Sequence, residues 1–362
     1  MRVVAKIGTS SITDEAGVID VQVVENLCEQ IIGLRADGHE VVLVSSGAVA
    51  AGVAALGLSE RPSDTLTLQA LSAAGQSRLM EVYNRHLAAR GAVAAQVLLV
   101  PHDFIDRRQY LHSRQTIGRL LELGCVPIIN ENDAVASDEI RYGDNDRIAA
   151  LVAHNISADL LVLLTDIEGL YTADPRFDPT AQLIARVGAD DPLLAVTAGR
   201  SGSNRGSGGM ASKLSAARMA SWSGVRAVIA RSTRRGVLAG AVADADVGTT
   251  FLANDHRLSA RKLWIGFASL VEGSIVIDDG ARRALVERGT SLLPAGVVDV
   301  VGVFDEEAVV DVAGLDGTVV ARGMVQADSV TLRSVMGRRT ADLPAEIAHE
   351  VVHRDDLVLL VG

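Results

Sequence analysis

Lysine is nearly missing from this chain. Of 34 basic side chains in 362 residues, only three are lysine (Lys6, Lys213 and Lys262), and the rest are arginine. Aromatic residues are scarce as well, at 3%, so a hydrophobic fraction of 48% must come mostly from Ala, Val, Leu and Ile. Cysteine is limited to Cys28 and Cys125, far apart in apolar stretches. That excludes a disulfide framework and fits a reducing compartment. Long apolar runs are absent too. Leu160–Leu164 and Leu357–Val361 fall far short of the roughly 20 residues needed to span a bilayer. The first residues read as a strand, with no positively charged leader ahead of an apolar stretch, so a soluble cytoplasmic protein is expected. A surplus of positive charge is also lacking. The net charge of −11 argues against non-specific binding to nucleic acid or acidic membranes.

What is present has a clear order. Arg2–Ile7 reads as a strand, Val21–Ala36 as a helix and Glu40–Val44 as the next strand. Leu66–Arg90 and Ser113–Leu123 have helical spacing, and Ala94–Val100 reads as extended. Val126–Asn130, Leu160–Leu164 and Ala227–Ala230 are continuous apolar runs of strand length. Such runs alternating with helices imply an α/β fold, a mostly parallel sheet covered on both faces. Ligands of such sheets bind at the carboxyl ends of the strands. Polar clusters fall at those ends: Gly8-Thr9-Ser10, Ser45-Ser46-Gly47, Asn130-Glu131-Asn132-Asp133 and Thr165-Asp166. The pattern changes near residue 250. The expected organisation is a catalytic domain over 1–255, a linker over 256–270 and a small mostly-β barrel over 271–362. This last region holds 8 arginines and no lysines against 16 Asp or Glu.

The rare lysines fall in informative places. Lys6 precedes Gly8-Thr9-Ser10-Ser11, and Lys213 closes Gly206-Ser207-Gly208-Gly209-Met210-Ala211-Ser212. Both lie beside backbone rich in N–H and hydroxyl donors, where an anion could be wrapped. A lysine there gives a compact charge where the wide fork of arginine would crowd a phosphoryl group. Lys262 fits no such pattern. The second loop is not a P-loop, because Ser212 precedes Lys213 and Leu214 follows it. It reads instead as a glycine-rich anion nest leading into a helix over Ser215–Ser221. The segment Tyr142-Gly143-Asp144-Asn145-Asp146, close to Asn130–Asp133, suits an amino-acid ligand whose ammonium pairs with a carboxylate. Asp166, past a buried run, is placed to hold the ammonium groups of the two lysines. His349-Glu350-Val351-Val352-His353 has the letters of a zinc protease motif. Its valines favour a strand, and none of the nine residues after His353 is His or Glu, so no metal site is expected there.

Together these motifs resemble the amino acid kinase family, and within it the bacterial glutamate 5-kinases, over essentially the whole chain. The matching segments are Lys6-Ile7-Gly8-Thr9-Ser10, Ser45-Ser46-Gly47-Ala48, Asn130–Asp133, Tyr142–Asp146, Thr165–Tyr171 and Gly208-Gly209-Met210. From Val271 onward the chain is similar to a PUA domain, through Asp278-Asp279-Gly280-Ala281 and Ser291–Gly296. There Glu307-Ala308 stands where a Gly-Asp turn is common in the family, and Gln326-Ala327 lacks an expected tyrosine.

The resemblance implies that Lys6, Thr165, Asp166 and the loop Ser207, Gly208, Gly209, Met210, Ala211, Ser212, Lys213 bind ATP. It implies that Ser46, Asp133 and Asn145 bind glutamate, and that Lys6, Asp166 and Lys213 serve catalysis, with Mg²⁺ bridging the β- and γ-phosphates. No protein ligand of that metal is assigned. It further implies a homo-oligomer, feedback inhibition by proline and a downstream glutamyl phosphate reductase. A carboxylate acceptor with a pKa of about 4.3 is already ionised at neutral pH, so no general base is required. The absence of a Ser-His-Asp or Cys-His arrangement fits that chemistry. The nearest rivals are sister kinases acting on N-acetylglutamate, aspartate, carbamate or UMP. Asp133 favours a free ammonium, which N-acetylglutamate and UMP lack. An RNA-binding protein is a rival from another class, because PUA domains commonly bind RNA. The acidic balance after Val271 opposes it.

Overall fold

A computed structural model of the chain describes residues 1–14, 17–104, 106–135, 145–189, 191, 209–255, 257–269, 271–339, 342 and 349–360. It divides into two compact units, Met1–Arg257 and Leu258–Gly362. The first opens with β1 (Arg2–Ile7), α1 (Thr9–Ile12), α2 (Val21–Ala36), β2 (Glu40–Ser45), α3 (Ala48–Ala55) and α4 (Thr65–Ala88). β3 (Val93–Leu99), α5 (Arg107–Glu122), β4 (Cys125–Glu131), α6 (Asn145–Asn155) and β5 (Leu160–Thr165) follow. It closes with β6 (Arg186–Val187), α7 (Met210–Trp222), β7 (Arg226–Arg231), α8 (Val237–Val242) and β8 (Gly248–Phe251).

The strands make one eight-stranded sheet in the order β3-β4-β2-β1-β5-β7-β8-β6, parallel except where β7 meets β8. β1 lies inside the sheet between β2 and β5. All six residues of β5, Leu-Leu-Val-Leu-Leu-Thr, are buried, as expected for a parallel strand covered on both faces. Side chains alternate between the faces of a strand. Val3, Ala5 and Ile7 therefore share a face with Val41, Leu43, Leu160, Val162 and Leu164, and this face packs on buried residues of α2, α4 and α8. Lys6 belongs to the opposite set, with Val4. Several helices begin at aspartate caps. Asp20 accepts from Gln22 N and Val23 N, Asp64 from Thr67 N, and Asp106 from Gln109 N. These caps satisfy amides that the helix leaves open. Every residue of α6 except Arg147 is buried.

Two glycines set how closely α3 and α4 approach. A Cβ on Gly52 would stand 2.0 Å from Leu71 O, and one on Gly75 would stand 1.9 Å from Ala48 O. No larger residue fits at either crossing point. The contact locks α4 against the segment that follows Ser46.

The second unit begins with a helical stretch, α9 (Ala260–Leu263) running into a π-helical turn over Trp264–Ala268. Residues expected as a linker thus carry secondary structure inside this unit. Arg322 Nη1 donates to Gly266 O at 3.0 Å, and Arg261 pairs with Asp356. The rest is β9 (Gly273–Ile277), α10 (Asp279–Arg288), β10 (Val297–Val301), β11 (Val309–Gly314), β12 (Val319–Val325), α11 (Ser329–Val335) and β13 (Val352–Leu359). They form a five-stranded mixed sheet in the order β10-β9-β11-β12-β13 around a separate core. Glu307 takes a left-handed backbone with φ of 65°. The zinc-protease letters run from irregular chain at His349 into β13, with no helix to align the two histidines. No described helix is long and apolar enough to cross a membrane.

Candidate functional site

The centre of the site is a carboxylate shared by two lysines. Asp146 lies in the first turn of α6 and is wholly buried. Its Oδ1 is 2.6 Å from Lys6 Nζ, and its Oδ2 is 3.2 Å from Lys213 Nζ. Ser212 Oγ donates to the same Oδ2 at 2.8 Å. The lysine side chains keep only 4% and 7% of their surface exposed. Lys6 is delivered by β1 on the face opposite α2 and α4. Lys213 is delivered by the first turns of α7, whose N-cap is Gly209.

Burial by itself would raise the pKa of Asp146, but Lys6 and then Lys213 overcome it and hold the group at about 2. Asp146 thus gathers two ammonium groups beside the first turn of α7. Open amides and the helix dipole there favour an anion. A buried arrangement of this kind calls for a ligand rich in negative oxygen.

A second, polar cluster adjoins the first through Asn145, the neighbour of Asp146. Asn145 Nδ2 donates to Ser46 Oγ at 2.9 Å and to Asn130 Oδ1 at 3.0 Å. Asn130 Nδ2 donates to Gln76 Oε1 at 2.8 Å. Gly47 follows Ser46 with φ of +107°, in the left-handed region that favours glycine, and starts the turn into α3. Asp133, just past the end of β4, accepts from Ser72 Oγ at 2.6 Å. Burial pushes its pKa up, offset in part by the Ser72 hydroxyl and by Arg61. A carboxylate in this position would gain from an incoming cation.

Most residues singled out in the sequence converge here. Lys6, Ser212 and Lys213 meet on Asp146, Ser46 meets Asn145, and Asp133 follows the strand that carries Asn130. Gly209, Met210 and Ala211 open α7. The helix therefore starts at Met210 rather than at Ser215, and Lys213 is a helical residue rather than the end of a loop. Ser207, Gly208 and Tyr142–Asp144 lie outside the described residues. Lys262 belongs to the second unit, where its Nζ donates to Arg354 O at 3.0 Å.

One assignment changes. Holding the two lysines was expected of Asp166, and the structure gives that contact to Asp146. Asp166 lies one residue beyond β5 and is exposed. Its carboxylate accepts from Thr165 Oγ1 at 3.0 Å, and its carbonyl accepts from Arg231 Nε at 3.2 Å. The reason is topological. α6 packs on the sheet beside β1 and alongside α7, so its first turn reaches both lysines. The signal for Asp146 was present as the last letter of Tyr142–Asp146, but it read as part of a substrate cluster. Ser72 and Gln76 went unread, although polar residues four apart on the buried stripe of α4 mark that face.

The model of the amino acid kinase family matches residues 1–231, well over half of the chain. The chain belongs to the amino acid kinase family. A second model, the PUA domain, matches residues 273–347. Among similar curated proteins, the glutamate 5-kinase of Mycolicibacterium smegmatis is 47% identical over 359 residues, covering 98% of this chain and 96% of that one. The glutamate 5-kinase of Frankia casuarinae is 48% identical over 366 residues, covering 99% and 97%. That of Caldanaerobacter subterraneus subsp. tengcongensis is 43% identical over 364 residues, covering 99% and 98%. As a member of the family, this chain is a phosphotransferase with an α/β catalytic unit and a mostly-β PUA unit.

Proposed function

We propose that this amino acid kinase transfers the γ-phosphoryl group of ATP to the side-chain carboxylate of L-glutamate, giving L-glutamyl 5-phosphate for proline synthesis. The observation that carries this reading is the pairing of two opposite charge demands. The Lys6–Asp146–Lys213 group suits anionic oxygen, and Asp133, which follows the strand of Asn130 in the adjoining polar cluster, suits a cation. A nucleotide phosphate and a free amino acid satisfy them together. The names of the similar proteins over nearly full length support the same substrate.

The chain's own residues would act by alignment and charge. A γ-carboxylate oxygen attacks the γ-phosphorus, the bond to the β-bridging oxygen breaks, and ADP leaves. Lys6 and Lys213 meet the growing charge on the equatorial and leaving oxygens, held in place by Asp146. Gly209 to Ser212, with Ser207 and Gly208, and the Thr165-Asp166 corner would line the nucleotide. Ser46, Asp133 and Asn145 would hold the amino acid. Both oxygens of Asp146 are occupied by lysine, and no described group of three His, Cys, Asp or Glu could cage a metal. A Mg²⁺ would therefore be held by the nucleotide phosphates, where it would supply charge neutralisation.

Incubation with ATP, Mg²⁺ and hydroxylamine tests the reading. Trapped hydroxamate is expected with glutamate and not with N-acetylglutamate or aspartate. Efficient trapping with either of those instead would move the chain to a sister activity. Asp133→Ala is expected to raise the KM for glutamate far more than that for ATP. Losing a desolvated charge partner costs roughly 2–5 kcal/mol. Equal changes in both constants would make Asp133 structural.

The wider setting follows from the same reading. The acyl phosphate is reactive, so a glutamyl phosphate reductase should consume it promptly in the cytoplasm. Proline would act as feedback inhibitor, and the protein would assemble as a homo-oligomer. The acidic PUA unit is not expected to bind RNA at physiological salt, with 8 arginines against 16 Asp or Glu from Val271 on.

A further inference from the structure

Gln76 has no place in the site as assigned so far, and its surroundings leave it one. It is only 8% exposed, and its Nε2 finds no hydrogen-bond partner among the described residues. The orientation of its amide is fixed by neighbours. Asn130 Oδ1 accepts from Glu131 N at 2.9 Å and from Asn145 Nδ2 at 3.0 Å. A backbone N–H is always a donor, so the other end of the Asn130 amide, facing Gln76, is the nitrogen. The atom that accepts from it at 2.8 Å is then Gln76 Oε1. Both hydrogens of Gln76 Nε2 are left over. A buried donor without an acceptor costs stability and is uncommon in native folds.

The donors around it are already committed. Asn145 gives its two amide hydrogens to Ser46 Oγ and Asn130 Oδ1. Among the described side chains of this cluster, the Ser46 hydroxyl proton and the Gln76 amide remain as donors for an incoming oxygen. Ser72, four residues before Gln76 and on the same stripe of α4, holds Asp133. Successive turns of one helix thus present a carboxylate support and a free amide donor. An α-amino acid carries its ammonium and carboxylate on one carbon with the same neighbourhood of charges. The close approach of α4 to α3 at Gly75 and Gly52 keeps this helix face rigid.

We infer that Gln76 Nε2 donates a hydrogen bond to the α-carboxylate of the amino-acid substrate while Asp133 takes its ammonium. Gln76 is then a specificity residue, reading the end of the substrate that does not react. The inference rests on the glutamate reading above.

The test compares glutamate with 4-aminobutyrate, which has the amine and the reacting carboxylate but no α-carboxylate. The latter is offered at concentrations high enough to give a measurable rate of hydroxamate formation. In Gln76→Met the donor is lost, and kcat/KM for glutamate is expected to fall about 10- to 100-fold. The value for 4-aminobutyrate should change less than about threefold. Gln76→Glu keeps the oxygen that Asn130 uses but puts an acceptor where the donor was, so it should lower the same ratio at least as far. Equal losses for both acceptors would make Gln76 a structural support of Asn130 and overturn the inference. An unchanged ratio with unchanged rates would overturn it as well. Failure of the wild-type protein to phosphorylate glutamate would instead remove the underlying reading, so the two failures are separable.

Discussion

Asp146→Asn is expected to lower kcat by about 10²–10³ and to destabilise the fold by roughly 3–5 kcal/mol. The change is nearly isosteric, so packing survives. What is lost is a buried negative charge that two ammonium groups share. Removing one partner from a buried pair leaves the other uncompensated, which costs more than the pair ever contributed. Here two lysines lose that contact. Acid unfolding gives an independent reading. The folded pKa of Asp146, about 2, lies below the ordinary 3.8, so its stabilisation is complete above about pH 4. It is lost as the pH falls through about 2, and the asparagine variant should lack that part of the acid response. Asp166→Asn is the control, exposed and with its carboxylate bonded to the adjacent Thr165, and should change stability by less than about 0.5 kcal/mol. Denaturant titrations of both variants between pH 2 and pH 7, with steady-state rates, decide the matter. Asp166→Asn destabilising more than Asp146→Asn would show that Asp166 does hold the lysines.

That contrast shows where the sequence was legible and where it was not. Strands such as Leu160–Thr165 announce themselves because a strand buried on both faces must be apolar throughout. The α2 boundaries, Val21–Ala36, were readable because Asp20 caps one end and Gly38 takes a left-handed turn just past the other. The polar clusters were readable as site residues because chain order places them just after strands. Pairing among them was not. Asp146 and Asp166 carry the same letter, and each follows or precedes a buried element. Only the packing of α6 beside β1 and α7 decides which one meets the lysines. The start of α7 was hidden for a different reason. Glycines and serines read as loop, yet Gly209 is an N-cap and Met-Ala-Ser-Lys is already helix. Gln76 was invisible because one glutamine in a 24-residue helix carries no chemistry until its neighbours are known.

Lys213→Ala is expected to reduce kcat by about 10²–10³ with little change in glutamate affinity, and Lys213→Arg to recover only a small part of it. The first expectation follows from the timing of the charge. On the proposed mechanism Lys213 and Lys6 would face oxygens whose negative charge grows as the phosphoryl group moves, so their loss would be felt in the transition state more than in the ground state. The second follows from space. Lys213 Nζ is 3.2 Å from Asp146 Oδ2, in a side-chain site only 7% exposed, and Ser212 Oγ occupies the same carboxylate oxygen. A guanidinium is planar and wide, with fixed donors, and would have to displace Ser212 or abandon Asp146 to keep the phosphate. In a chain that uses arginine for nearly every basic position, the retention of lysine here has a steric reason. Single-turnover rates at saturating ATP separate this from a binding defect, and Kd for glutamate should stay within about threefold of wild type. An arginine variant turning over at near wild-type rate would show that the site tolerates the fork, and the meaning read into scarce lysine would fall with it.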